Sequence, residues 1–144
     1  MIHLRTRDDS LRRRMLREPR GYPALCCNLV LPPTYPEANS GFVIVEQVEY
    51  PPISGSNTLC TATVLLGTGM IPMKEPVTEF VLEAPAGLVH IRGECAHGEV
   101  RSVTFRNVPA FAVCLDANVE VPGLGTVTVD VAYEGCSTLA PIRR

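Results

Sequence analysis

The alternation of apolar and polar positions predicts a chain rich in β-strands. Apolar runs bounded by proline, glycine and asparagine predict strands over residues 24–31, 42–48, 77–82, 88–92, 100–108, 111–115 and 126–133. In the last of these, Val127, Val129 and Val131 alternate with more polar neighbours, which is typical of a strand with one apolar face. The short connections that follow residue 76 favour antiparallel pairing.

Two segments instead follow helical spacing. Residues 9–17 predict a short amphipathic helix, capped by Asp8, Asp9 or Ser10. Its apolar stripe would consist of Leu4, Leu11, Met15 and Leu16. A second helix is predicted after Pro51-Pro52, and its apolar residues lie nearly all round, as in a helix buried in a core. One apolar helix among about seven strands predicts an α+β domain whose sheet curls around that helix.

The second helix opens with Ser54-Gly55-Ser56-Asn57, the most informative stretch of the chain. Serine and asparagine are favoured N-caps, and glycine lets a ligand approach the backbone. The first N–H groups and the positive end of the helix dipole would converge there, which suits a carboxylate or a phosphate. An ordinary capped core helix without a ligand is the alternative interpretation.

Charge and composition narrow the class of protein. The chain has 144 residues, 46% of them hydrophobic, enough for one domain with a core. The charged N-terminus has no apolar stretch typical of a secretory signal, and no segment predicts a transmembrane helix, so a cytoplasmic protein is expected. The arginine-rich residues 1–20 are interpreted as the solvent face of the first helix, so neither nucleic acid nor a membrane is an expected partner.

Six cysteines are scattered along the chain, with no C-x-x-C pair and no histidine at ligand spacing. The sequence therefore predicts no metal site. The cysteines are expected to be small buried hydrophobic residues, with a redox pair at Cys26-Cys27 as the alternative.

Several motifs occur in an order that resembles the proline racemase family. They are Glu18-Pro19-Arg20-Gly21, Pro32-Pro33-Thr34, Thr68-Gly69-Met70-Ile71-Pro72, Ala84-Pro85-Ala86-Gly87-Leu88, Arg106-Asn107-Val108-Pro109 and Val121-Pro122-Gly123-Leu124-Gly125. That family includes hydroxyproline 2-epimerases and trans-3-hydroxy-L-proline dehydratases. The resemblance implies a fold of the diaminopimelate epimerase type, with two lobes, each an antiparallel barrel-like sheet around a central helix. It also implies an active site between the lobes, one acid/base residue from each lobe, and no cofactor.

Carried over by position, the acid/base residue of the first lobe falls on Ser54, where the family's usual Cys-Gly-His reads Ser54-Gly55-Ser56. The resemblance implies that Gly55, Ser56 and Asn57 offer backbone N–H groups to the carboxylate of proline or hydroxyproline. Serine here resembles a branch associated with epimerisation of 4-hydroxyproline and dehydration of trans-3-hydroxyproline. Cys60 is expected to be a core residue and not a replacement thiol.

The resemblance also predicts how the chain is divided into domains. Residues 1–133 are expected to form an incomplete first lobe, residues 134–144 a tail outside the family pattern, and the second lobe is expected to be absent. Three hypotheses follow. The chain is a truncated lobe that is inactive alone and prone to self-association, one half of a split enzyme with a separately encoded second lobe, or a non-catalytic domain that binds an imino acid or another carboxylate.

Overall fold

The computed structural model describes residues 9–135 and the backbone of 137–141. The chain forms two compact units, divided between Asn107 and Val108. The first unit contains the helices α1 (Ser10–Leu16) and α2 (Gly55–Gly67) and the strands β1 (Cys27–Leu31), β2 (Ser40–Val45), β3 (Val77–Ala84), β4 (Gly87–Ala96) and β5 (Glu99–Arg106). The second unit contains β6 (Phe111–Val121), β7 (Gly125–Tyr133) and β8 (Ser137–Pro141).

The first unit is built on a five-stranded sheet in the order β1-β2-β3-β4-β5. Three of its four pairings are antiparallel, as predicted, but β2 and β3 are parallel. The sheet is therefore mixed and not wholly antiparallel. The reason is the connection between β2 and β3, which carries α2 and returns the chain to the same end of the sheet.

Helix α2 lies inside the curl of this sheet. It contacts β1, β4 and β5, and β1 and β5 are the two ends of the strand order. Close approach to β4 depends on Gly93, where an added Cβ would lie 2.7 Å from Cδ1 of Leu66. The α+β fold with a sheet curled around a central helix is thus confirmed.

Strand β2 is buried on both faces. Val43 and Val45 pack with Leu16 and Tyr50 on one side. Ser40 pairs with Leu82 of β3, and because side chains alternate along a strand, Phe42 and Ile44 face the α2 side with Leu82. Helix α1 therefore packs on one face of β2, and the other face of this strand is on the α2 side of the sheet.

The predicted stripe of α1 is wrong for two of its residues. Leu16 is buried with 1% exposed, but Leu11 and Met15 are exposed, because β2 meets only the last turn of this short helix. Leu4 and Asp8 lie outside the described residues. Asp9 is the N-cap residue, and its carboxylate binds the side chains of Arg12 and Arg13 and makes no cap hydrogen bond.

Helix α2 is also less enclosed than predicted. Cys60, Thr63 and Val64 are exposed, and Val64 has an exposed fraction of 56%. The expectation of a helix buried all round, with Cys60 in the core, is wrong, because strands cover one side of the helix and leave these residues outside.

The expectation of buried cysteines is correct for Cys95 alone among the described residues. Cys26 and Cys114 are exposed, and Cys27 is half-buried. Cys136 lies outside the described residues. Burial raises the pKa of the Cys27 thiol, with a smaller contribution from Cys26, so this thiol is a poorer nucleophile at neutral pH.

The second unit is an antiparallel sheet in the order β6-β7-β8. Strand β8 forms within residues 134–144, for which the sequence predicts no periodic structure, and it pairs with β7 from Ser137 to Pro141. The rings of Phe111 and Tyr133 pack at a centroid separation of 5.2 Å across β6 and β7. None of the helices in the described part of the chain is both long and apolar enough to cross a membrane.

Candidate functional site

The segment that enters α2 is anchored before the helix begins. The Pro52 carbonyl accepts a hydrogen bond from the Ala86 N–H at 3.1 Å, in the turn between β3 and β4. Ile53 is buried. Ser54 is extended, with φ −148° and ψ 134°, which is the usual backbone of an N-cap. The two prolines and the buried isoleucine thus fix where the helix starts.

The first turn of α2 presents backbone donors. The first hydrogen bond of the helix runs from the Thr58 N–H to the Ser54 carbonyl at 2.9 Å, and the Thr58 hydroxyl donates to the same oxygen at 2.8 Å. The N–H groups of Gly55, Ser56 and Asn57 precede that bond, so the helix ladder does not use them. Together with the helix dipole they form a positive end suited to an anion.

The Ser54 hydroxyl does not cap these donors. Its Oγ accepts a hydrogen bond from the side-chain amide of Asn57 at 3.1 Å and lies 3.3 Å from Oγ of Ser56. Ser54 is the N-cap by position, but the expected cap hydrogen bond from its side chain is missing. The backbone N–H groups are therefore left available to another acceptor, and the hydroxyl oxygen already has one donor.

Asn57 is fixed from several sides and has an exposed fraction of only 7%. Its Oδ1 accepts from the Cys26 thiol at 3.3 Å, and its backbone carbonyl accepts from Nδ2 of Asn28 at 3.3 Å. Strand β1 and the segment before it thus hold the first turn of α2. Oδ1 of Asn28 and the hydroxyl of Thr61 are buried with no hydrogen-bond partner among the described residues.

Gly55 and Ser56 face solvent. A Cβ added at Gly55 would lie 3.5 Å from Cζ of Phe105, an ordinary van der Waals contact. Gly55 is also absent from the described glycines with positive φ. Neither packing nor backbone geometry therefore requires glycine here, which leaves access to the backbone as its use.

A cavity of about 560 Å³ lies over β3, β4 and β5, away from Ser54, and is lined by residues that include Glu79, His90, Arg92 and Arg106. Arg92 is paired with Glu79 at 3.3 Å. Among the described residues, no group of three or more His, Cys, Asp and Glu side chains is placed to hold a metal ion. Of these places, the Ser54 segment is the one on which the predicted acid/base residue falls.

The structure brings the four predicted site residues together in one helical turn. Their chemical roles stay predictions. The sequence analysis missed Cys26 and Asn28, which contact this turn from β1 and the residue before it. The available signal was weak: Asn28 is a polar residue within an otherwise apolar strand.

Comparison with known proteins decides the family. The family model described as proline racemase matches residues 1–140. The chain belongs to the proline racemase family. The match runs past Tyr133, the boundary that the motifs indicate.

Two solved structures of this family superpose closely. A hydroxyproline epimerase from Agrobacterium vitis, with bound trans-4-hydroxy-L-proline, is 38% identical with a TM-score of 0.88. A probable proline racemase from Agrobacterium radiobacter K84, with bound carbonate, is 37% identical with a TM-score of 0.88. Each alignment covers 95% of this chain and 41% of the other chain. The chain therefore spans well under half the length of these two family members.

Proposed function

We propose that the first turn of α2 binds the carboxylate of proline or hydroxyproline, and that Ser54 exchanges a proton with the α-carbon of that ligand. The carboxylate would accept hydrogen bonds from the N–H groups of Gly55, Ser56 and Asn57. The observation that carries the proposal is the uncapped helix N-terminus beside a hydroxyl that already accepts a hydrogen bond at 3.1 Å. Carboxylates are favoured at such termini.

Two relatives support the choice of ligand. One was solved with trans-4-hydroxy-L-proline and another with carbonate, and both ligands carry a planar oxyanion. Epimerisation needs a second acid/base group on the opposite face of the α-carbon. By the family resemblance that group belongs to the other lobe, either in a separate chain or elsewhere in a longer protein. No cofactor enters this scheme.

Dehydration of trans-3-hydroxyproline is the alternative reaction within the same proposal. There a base removes the α-proton, the electron pair forms the C=C bond, and the 3-hydroxyl leaves with a proton as water. Ser54 would then supply the proton to the leaving oxygen. A purely binding role is the alternative in which the anion site holds an imino acid and no proton moves.

Calorimetric titration with trans-4-hydroxy-L-proline tests the binding step. We expect binding to the chain, and no binding of pyrrolidine or prolinamide, because neither offers a carboxylate to the helix N-terminus. If hydroxyproline and prolinamide give the same heat, or if neither binds, the carboxylate site is refuted.

Proton NMR in D₂O tests the chemistry, by loss of the α-proton signal of hydroxyproline with the chain alone and with an added second lobe of a relative. Ser54→Ala should abolish exchange by the chain alone and epimer formation in the mixture with the second lobe. Ser56→Ala is the matched control, since it removes a neighbouring hydroxyl in the same turn and leaves the proposed acid/base group. Binding without exchange in either mixture assigns the non-catalytic role. Exchange by the chain alone, or epimer formation in the mixture, that survives Ser54→Ala excludes Ser54 as the acid/base residue.

A further inference from the structure

The side chain of Asn57 connects the chain just before and within β1 to the Ser54 hydroxyl. Its two ends have different partners: Oδ1 accepts from the Cys26 thiol at 3.3 Å, and Nδ2 donates to Oγ of Ser54 at 3.1 Å. An asparagine side chain accepts at its oxygen and donates at its nitrogen, so the two contacts favour the same orientation of the amide. With the amide reversed, its oxygen would face the Ser54 oxygen and the donor would be lost.

Asn28 fixes the backbone of Asn57. Its amide donates to the Asn57 carbonyl at 3.3 Å, so the backbone and the side chain of Asn57 are fixed separately. The burial of Asn57, at 7% exposed, excludes most of the water that would compete for the amide. In the observed orientation the amide donates to Ser54 and is largely shielded from water.

We propose that Cys26 and Asn28 are positioning residues that hold the Asn57 amide as a hydrogen-bond donor to Ser54. The donor stabilises negative charge on Oγ when the hydroxyl gives up its proton, and it directs that proton away from Asn57. The effect on catalysis rests on the proposed function, but the hydrogen-bonded arrangement itself does not. The proposal also gives the side chain of Asn57 a role, in addition to the role of its backbone N–H group that is expected from the sequence.

Cys26 is the accessible end of this arrangement. The thiol is exposed, whereas Asn57 is buried. A substitution or a covalent modification at Cys26 therefore acts on the Ser54 oxygen through Asn57 and leaves the residues of the first turn themselves unchanged. Cys60 provides a matched control, since it is an exposed cysteine within α2 and no side-chain hydrogen bond joins it to Ser54 or Asn57 in the described part of the chain.

The test combines side-chain amide NMR with kinetics, using the full chain and the variants Cys26→Ala, Cys26→Ser and Cys60→Ala. The amide signals are assigned by their loss in Asn57→Asp. We expect Cys26→Ala to move the two Nδ2 proton resonances of Asn57 and to speed their exchange with water. Cys26→Ser should restore them, because a hydroxyl also donates, and Cys60→Ala should leave them unchanged.

In the α-proton exchange assay, Cys26→Ala should lower the rate by about 3- to 10-fold, which corresponds to one neutral hydrogen bond, with little change in hydroxyproline affinity. Cys26→Ser should recover most of that rate. If the Asn57 resonances in Cys26→Ala superpose on those of the wild type, the proposal is overturned. If they move and recover as expected while the wild type exchanges no α-proton, the positioning of Asn57 is supported and the proposed function fails.

Discussion

Two threonines of α2 differ in a way that predicts opposite effects of the same substitution. Thr58 and Thr61 are both buried, with exposed fractions of 0% and 5%. The Thr58 hydroxyl donates to the Ser54 carbonyl at 2.8 Å, the usual bond to the residue four positions earlier. The carbonyl four positions before Thr61 is that of Asn57, and it accepts a hydrogen bond from the side-chain amide of Asn28. The Thr61 hydroxyl has no hydrogen-bond partner among the described residues.

Replacement by valine keeps the shape and the β-branch while it removes the hydroxyl, so helix propensity changes little. Thr61→Val removes a buried polar group without a partner, and we expect the free energy of unfolding to rise by about 1 kcal/mol. Thr58→Val removes a formed hydrogen bond, and we expect a fall of about 1 kcal/mol. The two variants should therefore differ by about 2 kcal/mol.

Urea unfolding followed by circular dichroism measures both changes, and the midpoint of thermal unfolding should move by about 4 °C in each direction. Thr63→Val is the control, because Thr63 is exposed and donates to the Leu59 carbonyl at 2.8 Å. It should stay within about 0.5 kcal/mol of the wild type. A Thr61→Val variant as destabilised as Thr58→Val would show that the Thr61 hydroxyl is bonded in solution and would refute the reasoning.

Two further predictions concern packing and pH. Gly93→Ala places a Cβ 2.7 Å from Cδ1 of Leu66, so the free energy of unfolding in urea should fall by about 1–3 kcal/mol. Its combination with Leu66→Ala should be less destabilised than the sum of the single variants, and strict additivity would argue against the contact. The hydrogen bond from Arg12 lowers the pKa of Asp9 to about 2, so carbon NMR should show its carboxyl titrating near that value. The ion pairs of α1 then stabilise the fold above pH 3.8 and are lost as the pH falls toward 2. Asp9→Asn should remove that part of the pH dependence of unfolding, and an unchanged dependence would assign it to another carboxylate.

The sequence predicted the elements best where the signal is local. The Pro51-Pro52 pair and the serines and asparagine after it mark the start of α2 correctly. The prediction for β6 ended at Leu115, but the strand continues to Val121. Asp116 has a positive φ of 53°, and the register shifts between Ala112 and Ala117, so irregularities interrupt the alternation that reveals a strand.

Features that depend on distant partners were not predictable in this way. Strand β8 exists by pairing with β7, and its own residues show no alternation that would reveal it. The contacts of Cys26 and Asn28 with Asn57 need β1 to lie against the first turn of α2, about 30 residues later in the chain. The exposure of Cys60 likewise depends on which side of α2 the strands cover.

If Ser54 is the acid/base residue, as the family resemblance implies, a hydroxyl in place of a thiol limits the chemistry of the proposed site. A serine hydroxyl is about as weak an acid as water, so removing its proton at pH 7 costs a free energy of roughly 12 kcal/mol. A helix N-terminus contributes at most about 2 kcal/mol and a hydrogen bond to the charged oxygen about 1.5–3 kcal/mol. The helix and the Asn57 amide together thus supply less than half of that energy, and Ser54 rests as a neutral hydroxyl. A neutral hydroxyl gives a proton more readily than it takes one, so in the proposed reaction the stronger base would have to come from the other lobe. Dehydration needs Ser54 only as such a donor beside the leaving oxygen, whereas epimerisation in both directions needs Ser54 to act as a base as well.

Comparing the wild type and Ser54→Ala on trans-3- and trans-4-hydroxyproline, each with an added second lobe, separates the two reactions. Product from the 3-hydroxy substrate alone would indicate a dehydratase, and epimerisation of the 4-hydroxy substrate that Ser54→Ala abolishes would show that Ser54 also acts as a base.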